Sequence, residues 1–259
     1  MKYGLIVVAL LVLAGVARAE LVSKPVDYSH DGVALQGYLV YDDAVKGKRP
    51  GVLVVPEWWG LNDYAKKRAD DLARLGYVAF AADMYGKGVV TTDPKKAAEL
   101  SGPFHGTPLM RTRARAGYDV LVKNELVDPA RTAAIGFCFG GTAVLELAYS
   151  GAPLAGVVSF HGDITAPKPE DYSNIKASFL VCHGANDGFV KPEAIDAFQK
   201  AMRDAGTDWM MVYYGGAVHS FTNPDADKYG IPGVAYNEKA ARRSWANMKT
   251  FFDEILARR

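Results

Sequence analysis

Cysteine is scarce in this chain: Cys138 and Cys182 are the only two in 259 residues. A small disulfide-stapled fold is excluded, and no C-x-x-C pair offers a zinc or redox motif. The five histidines show no H-x-x-x-H spacing, so no metal centre is expected. Net charge is nearly absent, with 30 basic against 29 acidic residues. That leaves no electrostatic basis for nucleic-acid partners or an acidic membrane surface. No glycine-rich loop spells G-x-G-x-x-G with an acidic follower, so no dinucleotide is expected, and no cofactor of any kind. Beyond the N-terminus no apolar run approaches 18 residues, and no repeat or low-complexity tract is present.

The N-terminus reads as a signal peptide over residues 1–19. Lys2 gives the positive start, residues 5–16 the apolar stretch, and Ala17-Arg18-Ala19 a small-residue cleavage site. The run is short for a membrane span, and no cysteine follows it to carry a lipid. The expected product is a periplasmic or secreted chain of residues 20–259, with no stable membrane anchor and a net charge of about −1 once Lys2 and Arg18 are gone. Its length suits one large α/β domain.

Buried-type strands alternate with helical stretches along that chain. Residues 33–41 alternate in polarity and suit an antiparallel edge strand. Residues 51–56, 77–82, 132–135, 154–160 and 177–183 are continuous apolar runs, as parallel strands buried on both faces should be. The last strand is expected at 209–214. Asn62 can cap a helix whose inner face is Ala65, Ala69, Leu72 and Leu75. Further helices are expected over 94–101, 108–124, 142–149, after Pro192, and at the C-terminus along Ala241, Trp245, Met248, Phe252 and Ile255. Arg111, Arg113 and Arg115 are assigned to a solvated helix face. The pattern specifies a mainly parallel, doubly wound sheet with helices on both faces. In such sheets chemistry gathers at the carboxyl ends of strands.

Gly136-Phe137-Cys138-Phe139-Gly140-Gly141 lies between a strand and a helix. This is the strand–turn–helix setting of a nucleophile elbow, with cysteine in the nucleophile position. A helix N-terminus there favours a thiolate. Two more polar side chains follow later strands in glycine-rich loops: Asp187 in Gly184-Ala185-Asn186-Asp187-Gly188, and His219 in Gly215-Gly216-Ala217-Val218-His219. The order is nucleophile, acid, base. Cys138 would attack an acyl carbonyl, His219 would carry its proton, and Asp187 would orient the imidazole. The N–H groups of Phe139 and Trp58 would bind the oxyanion. Trp58, Trp59, Tyr85 and Phe139 suggest an apolar, partly aromatic pocket. His161 is the alternative base, His183 is placed beside the acid loop, and His30 and His105 are assigned to solvent or loops. A strand between those bearing the two cysteines would keep their thiols apart and free.

These residues resemble the dienelactone hydrolase family of α/β-hydrolases. The resemblance rests on the elbow hexapeptide, on His183-Gly184-Ala185-Asn186-Asp187-Gly188-Phe189-Val190, and on His219-Ser220-Phe221. Pro56-Glu57 and Asp83-Met84-Tyr85 are similar to two further landmarks. The resemblance implies a Cys138–Asp187–His219 triad, a small ester or lactone as substrate, and a Glu57 that hydrogen-bonds the resting thiol. It also implies two arginines for a substrate carboxylate, where this chain has Lys87 and Asn223. Neutral substrates are therefore expected to be preferred over anionic ones. The alternatives are a hydrolase-fold binding protein of little activity, or a thiol redox protein using both cysteines. The natural ester and the oligomeric state have no signature in the sequence.

Overall fold

The strand over Leu21–His30 (β1) carries Lys24, Pro25 and Asp27 and has no sequence pattern that marks it as a strand. It nevertheless pairs along its whole length with Val33–Asp42 (β2), antiparallel, Pro25 opposite Tyr38. Proline has no N–H to donate, which an edge strand tolerates. The expected edge strand β2 is thus an inner strand, because β1 covers it. The computed structural model describes residues 20–257, and the expected signal segment lies outside the described residues.

The remaining elements are β3 (Arg49–Val55), α1 (Asp63–Ala73), β4 (Val78–Ala81), α2 (Pro94–Ser101), α3 (Pro108–Val122), β5 (Val127–Phe137), α4 (Phe139–Tyr149), β6 (Gly156–Phe160), β7 (Ser178–Gly184), α5 (Pro192–Asp204), β8 (Trp209–Tyr214) and α6 (Glu238–Ile255). The strands form one sheet in the order β1-β2-β4-β3-β5-β6-β7-β8. β2 runs antiparallel to both neighbours, and every other pairing is parallel. This is the expected α/β class.

Successive side chains of β3 point to opposite faces. Leu53 and Val55 belong to one core with Ala114, Tyr118 and Leu121 of α3 and Phe198 of α5. Val52 and Val54 belong to the core of the other face, with Ala69 and Leu72 of α1 and Met248 and Phe252 of α6. Each large apolar side chain buried this way contributes about 1.5–3 kcal/mol, so both faces of the sheet are strongly held. Among the described residues no helix is long and apolar enough to cross a membrane.

Three assignments differ from expectation. Leu75 lies past the end of α1 and is exposed rather than inward. Arg113 is buried, not solvated: its guanidinium donates to the Met84 carbonyl at 2.8 Å and to Nδ1 of the partly exposed His30 at 3.1 Å. Arg111 makes a bidentate pair with Asp171 and a third bond to Glu146. Arginine's planar fork matches carboxylates in this way.

Candidate active site

β3, β5, β7 and β8 are neighbours or near neighbours, and their carboxyl ends lead to Glu57, Cys138, Asp187 and His219 respectively. The strand order alone therefore gathers residues 162 positions apart in sequence.

Cys138 caps the N-terminus of α4 with φ +52° and ψ −119°, backbone angles that favour glycine. The turn can form because a Cβ at Gly136 would overlap the Gly140 carbonyl, and one at Gly140 would overlap the carbonyls of Val55 and Pro56. Strand and helix approach as closely as glycine permits. The Cys138 N–H is shared between the Phe160 carbonyl at 3.0 Å and His161 Nδ1 at 3.1 Å.

His219 is fixed through its backbone, which donates to the Gly233 carbonyl and accepts from Ala235 N–H. Its ring spans the two expected partners. Nε2 lies 3.0 Å from Cys138 Sγ and Nδ1 lies 2.8 Å from Asp187 Oδ2. Burial opposes the imidazolium, but the Cys138 sulfur and the Asp187 hydrogen bond outweigh it and hold the ring well above its ordinary pKa. The loop of Asp187 is tied to the loop of His219 by Asn186, whose Oδ1 accepts from Gly216 N–H and whose N–H donates to the Ala217 carbonyl.

Phe139 N–H opens α4 and Trp58 N–H follows Glu57; neither donates to another group among the described residues. The first N–H groups of a helix lack intrahelical partners, so that of Phe139 is free for a ligand. The Glu57 carbonyl accepts from Gly60 N–H at 3.2 Å, which fixes the peptide plane that carries the Trp58 N–H.

Glu57 does not meet the thiol. Its carboxyl is buried and accepts from Ser220 Oγ at 3.0 Å and from Asn223 Nδ2 at 2.6 Å, while the sulfur pairs with His219. Burial raises its pKa, against the lowering effect of those two donors. Asn223 is fully buried in this contact and cannot also receive substrate. Lys87 is likewise misplaced by the sequence reading: it sits on the outer edge, ion-paired with Asp27 of β1 at 2.9 Å. Both residues follow strand ends in irregular loops, where sequence position does not fix side-chain direction.

A cavity of about 320 Å³ opens over Cys138 and His219. Trp58, Trp59, Phe139, Phe189, Ile231 and Val234 give it an apolar wall, with Ser101, His105, Thr142, Asp163 and Ser220 as its polar members. Among the described residues no lysine or arginine lines it. Trp59 is held by stacking on Tyr229, ring centroids 4.1 Å apart. Tyr85 is not part of the lining: it packs behind Phe139 and Phe104 and donates to the Trp58 carbonyl. Ile231, Val234 and Asp163 carry no sequence signal, since loop residues without periodicity reveal no partner, and Phe189 enters the sequence reading only as part of the motif around Asp187. His183, placed beside the acid loop by the sequence, packs edge-on against Tyr213, and its buried Nδ1 has no hydrogen-bond partner among the described residues. His161 is buried beneath the elbow rather than in the cavity.

A family model described as "Dienelactone hydrolase family" matches residues 35–256. The solved structure of m3DLH is 44% identical, with a TM-score of 0.88 over 92% of this chain and 99% of the other. A dienelactone hydrolase-like promiscuous phosphotriesterase, P91 from metagenomic libraries, is 42% identical, with a TM-score of 0.89 over 93% of this chain and 100% of that one. A protein of Aquifex aeolicus bearing the provisional name carboxymethylenebutenolidase is 27% identical over 89% of this chain and 98% of its own.

Proposed function

Because this chain belongs to the dienelactone hydrolase family and is an ester or lactone hydrolase of that kind, we propose that it cleaves small neutral esters or lactones through an acyl-enzyme on Cys138. His219 Nε2 takes the thiol proton as the sulfur adds to the acyl carbonyl. The carbonyl oxygen becomes an oxyanion between the N–H groups of Trp58 and Phe139. Collapse expels the alcohol oxygen, which receives the proton from His219, and leaves a thioester on Cys138. Water then adds to the thioester, giving its proton to His219. The tetrahedral intermediate expels the sulfur, which takes the proton back from His219, and the acid is released. Asp187 keeps the imidazole in the tautomer with the proton on Nδ1 and balances its charge.

The observation that carries this reading is the His219 ring, which sits within hydrogen-bond reach of Cys138 Sγ on one side and Asp187 on the other. Glu57 enters as a positioning group: it holds Ser220 and Asn223, which flank the loop of the base. The neutral preference follows from the lining, which offers an anion no cation among the described residues. An unpaired anion in a partly dry site costs about 2 kcal/mol or more. Export to the periplasm or medium is part of the proposal, and the N-terminal mass of the purified chain tests it.

The decisive experiment is a panel of p-nitrophenyl esters, lactones and a neutral phosphotriester, run on wild type and Cys138→Ala. Wild type is expected to turn over the esters with a pre-steady-state burst and a trapped acyl adduct on the peptide bearing Cys138. Cys138→Ala should lose about 10³ or more in kcat. Ester hydrolysis that survives in Cys138→Ala overturns the assignment.

A further inference from the structure

His161 is buried, sits at φ +42°, and uses both ring nitrogens on two different loops. Nδ1 accepts the Cys138 N–H at 3.1 Å. The ring proton is therefore on Nε2, which donates to Thr222 Oγ1 at 2.7 Å. Thr222 lies three residues after His219, and its hydroxyl shares a further 2.7 Å bond with the Tyr64 hydroxyl, while its carbonyl accepts from Arg68 at 2.9 Å. The imidazole thus connects the backbone of the nucleophile to the loop of the base.

We propose that His161 is a positioning residue, a neutral strut that sets the separation of Cys138 and His219 by joining the elbow to Thr222. The inference rests on the thiol chemistry proposed above. Its physical basis is that neither loop has regular structure to define its distance from the other. The Cys138 backbone is also in a conformation it would leave if unsupported. The Phe160 carbonyl holds the elbow to the neighbouring strand of its own sheet, whereas His161 reaches across to the loop of His219. The charged and titratable groups facing the strut are His219, at 5.6 Å between ring centroids, His183, and Arg68. None is a carboxylate, so nothing adjacent favours a protonated His161. Burial together with these neighbours holds its pKa well below the ordinary value. A neutral ring at 161 puts no second charge beside His219 when that ring takes up the thiol proton.

The test combines His161→Leu, which removes both bonds, Thr222→Val, which removes one with little change in shape, and His161→Asn, which keeps an acceptor near the Nδ1 position. Two quantities are read: steady-state ester hydrolysis, and the pH midpoint of Cys138 alkylation by iodoacetamide, located by peptide mass. Each of the Leu and Val variants should lose about tenfold in kcat with KM within about twofold. The alkylation midpoint should rise, because a sulfur moved away from His219 is less readily ionised. The double variant should be no worse than the poorer single one, since both cut the same link. His161→Asn should recover part of the loss. Additive effects, a change confined to KM, or an unmoved alkylation midpoint overturn the proposal. If His161→Leu does not fold, Thr222→Val decides alone, and unchanged kcat with an unchanged midpoint overturns it. Absence of ester turnover in wild type bears on the hydrolase reading, while the alkylation midpoints still decide the strut.

Discussion

The Asn223 amide donates to Glu57 Oε2 at 2.6 Å, with both side chains sealed from solvent beside the loop of His219. A buried carboxyl with two neutral donors is a group whose protonation and the protein's stability are linked. Its folded pKa lies above the ordinary 4.5, chiefly because of burial. The folded state then holds the proton more tightly than the unfolded one, so stability is full below about 4.5 and is lost as pH rises through the folded value. Glu57→Gln can accept from Asn223 and donate to Ser220 without a charge. The Tm of Glu57→Gln relative to wild type should climb between pH 4 and pH 8, as scanned by calorimetry at about four pH values. A constant difference across that range would show that Glu57 does not titrate there.

Substrate charge is the second prediction. Asp163 is exposed at the cavity edge and is a carboxylate where an anionic substrate needs a cation. Wild type should prefer p-nitrophenyl butyrate over the monoanionic p-nitrophenyl succinate by about tenfold in kcat/KM. Asp163→Lys should narrow that ratio, and the narrowing should fade at high salt. A strong wild-type preference for the succinate would refute the reading of this pocket. Asn223→Arg is not a useful probe, because the new guanidinium would be aimed at Glu57.

Phe189 is half exposed yet packs edge-on against the His219 ring, centroids 5.2 Å apart. It shields one flank of that ring and forms part of the apolar wall. Phe189→Ala should raise KM for aromatic acyl esters about fivefold or more while kcat changes less, because the contact is made equally in ground and transition states. Steady-state kinetics on phenylacetyl and acetyl esters would decide, and an effect on kcat alone would contradict this.

Gly136→Ala should fail to fold or lose much of its thermal stability, since the new methyl group would meet backbone at Gly140. Thermal melts beside Gly188→Ala supply the control, because a Cβ at Gly188 meets nothing within 4 Å. Equal melting temperatures would mean that the elbow is looser than described.

The three residues that meet at the cavity were legible because each follows a strand run and lies in a glycine-rich loop, and a doubly wound sheet brings strand ends together. What the sequence concealed lies off that register. β1 escaped because Lys24 and Pro25 interrupt its alternation, and its stability comes from pairing with β2 rather than from burial. The partners of Glu57 escaped because they depend on how the loop after His219 coils, a tertiary matter with no period. Lys87 and Asn223 were placed in the pocket by position along the chain, yet one pairs with β1 and the other with Glu57. His161 reads as a possible base in one dimension, and only the fold shows its two nitrogens already occupied.

The positive φ at Cys138 has a consequence for durability. Holding a non-glycine residue there costs about 1–3 kcal/mol, whereas glycine would cost only about 0.5–1 kcal/mol more in unfolded-chain entropy than a residue with a side chain. The strain is the larger quantity. Cys138→Gly should therefore give a chain that melts later and does nothing. Endurance and turnover pull this one position in opposite directions, and a screen for heat resistance alone would select against the sulfur.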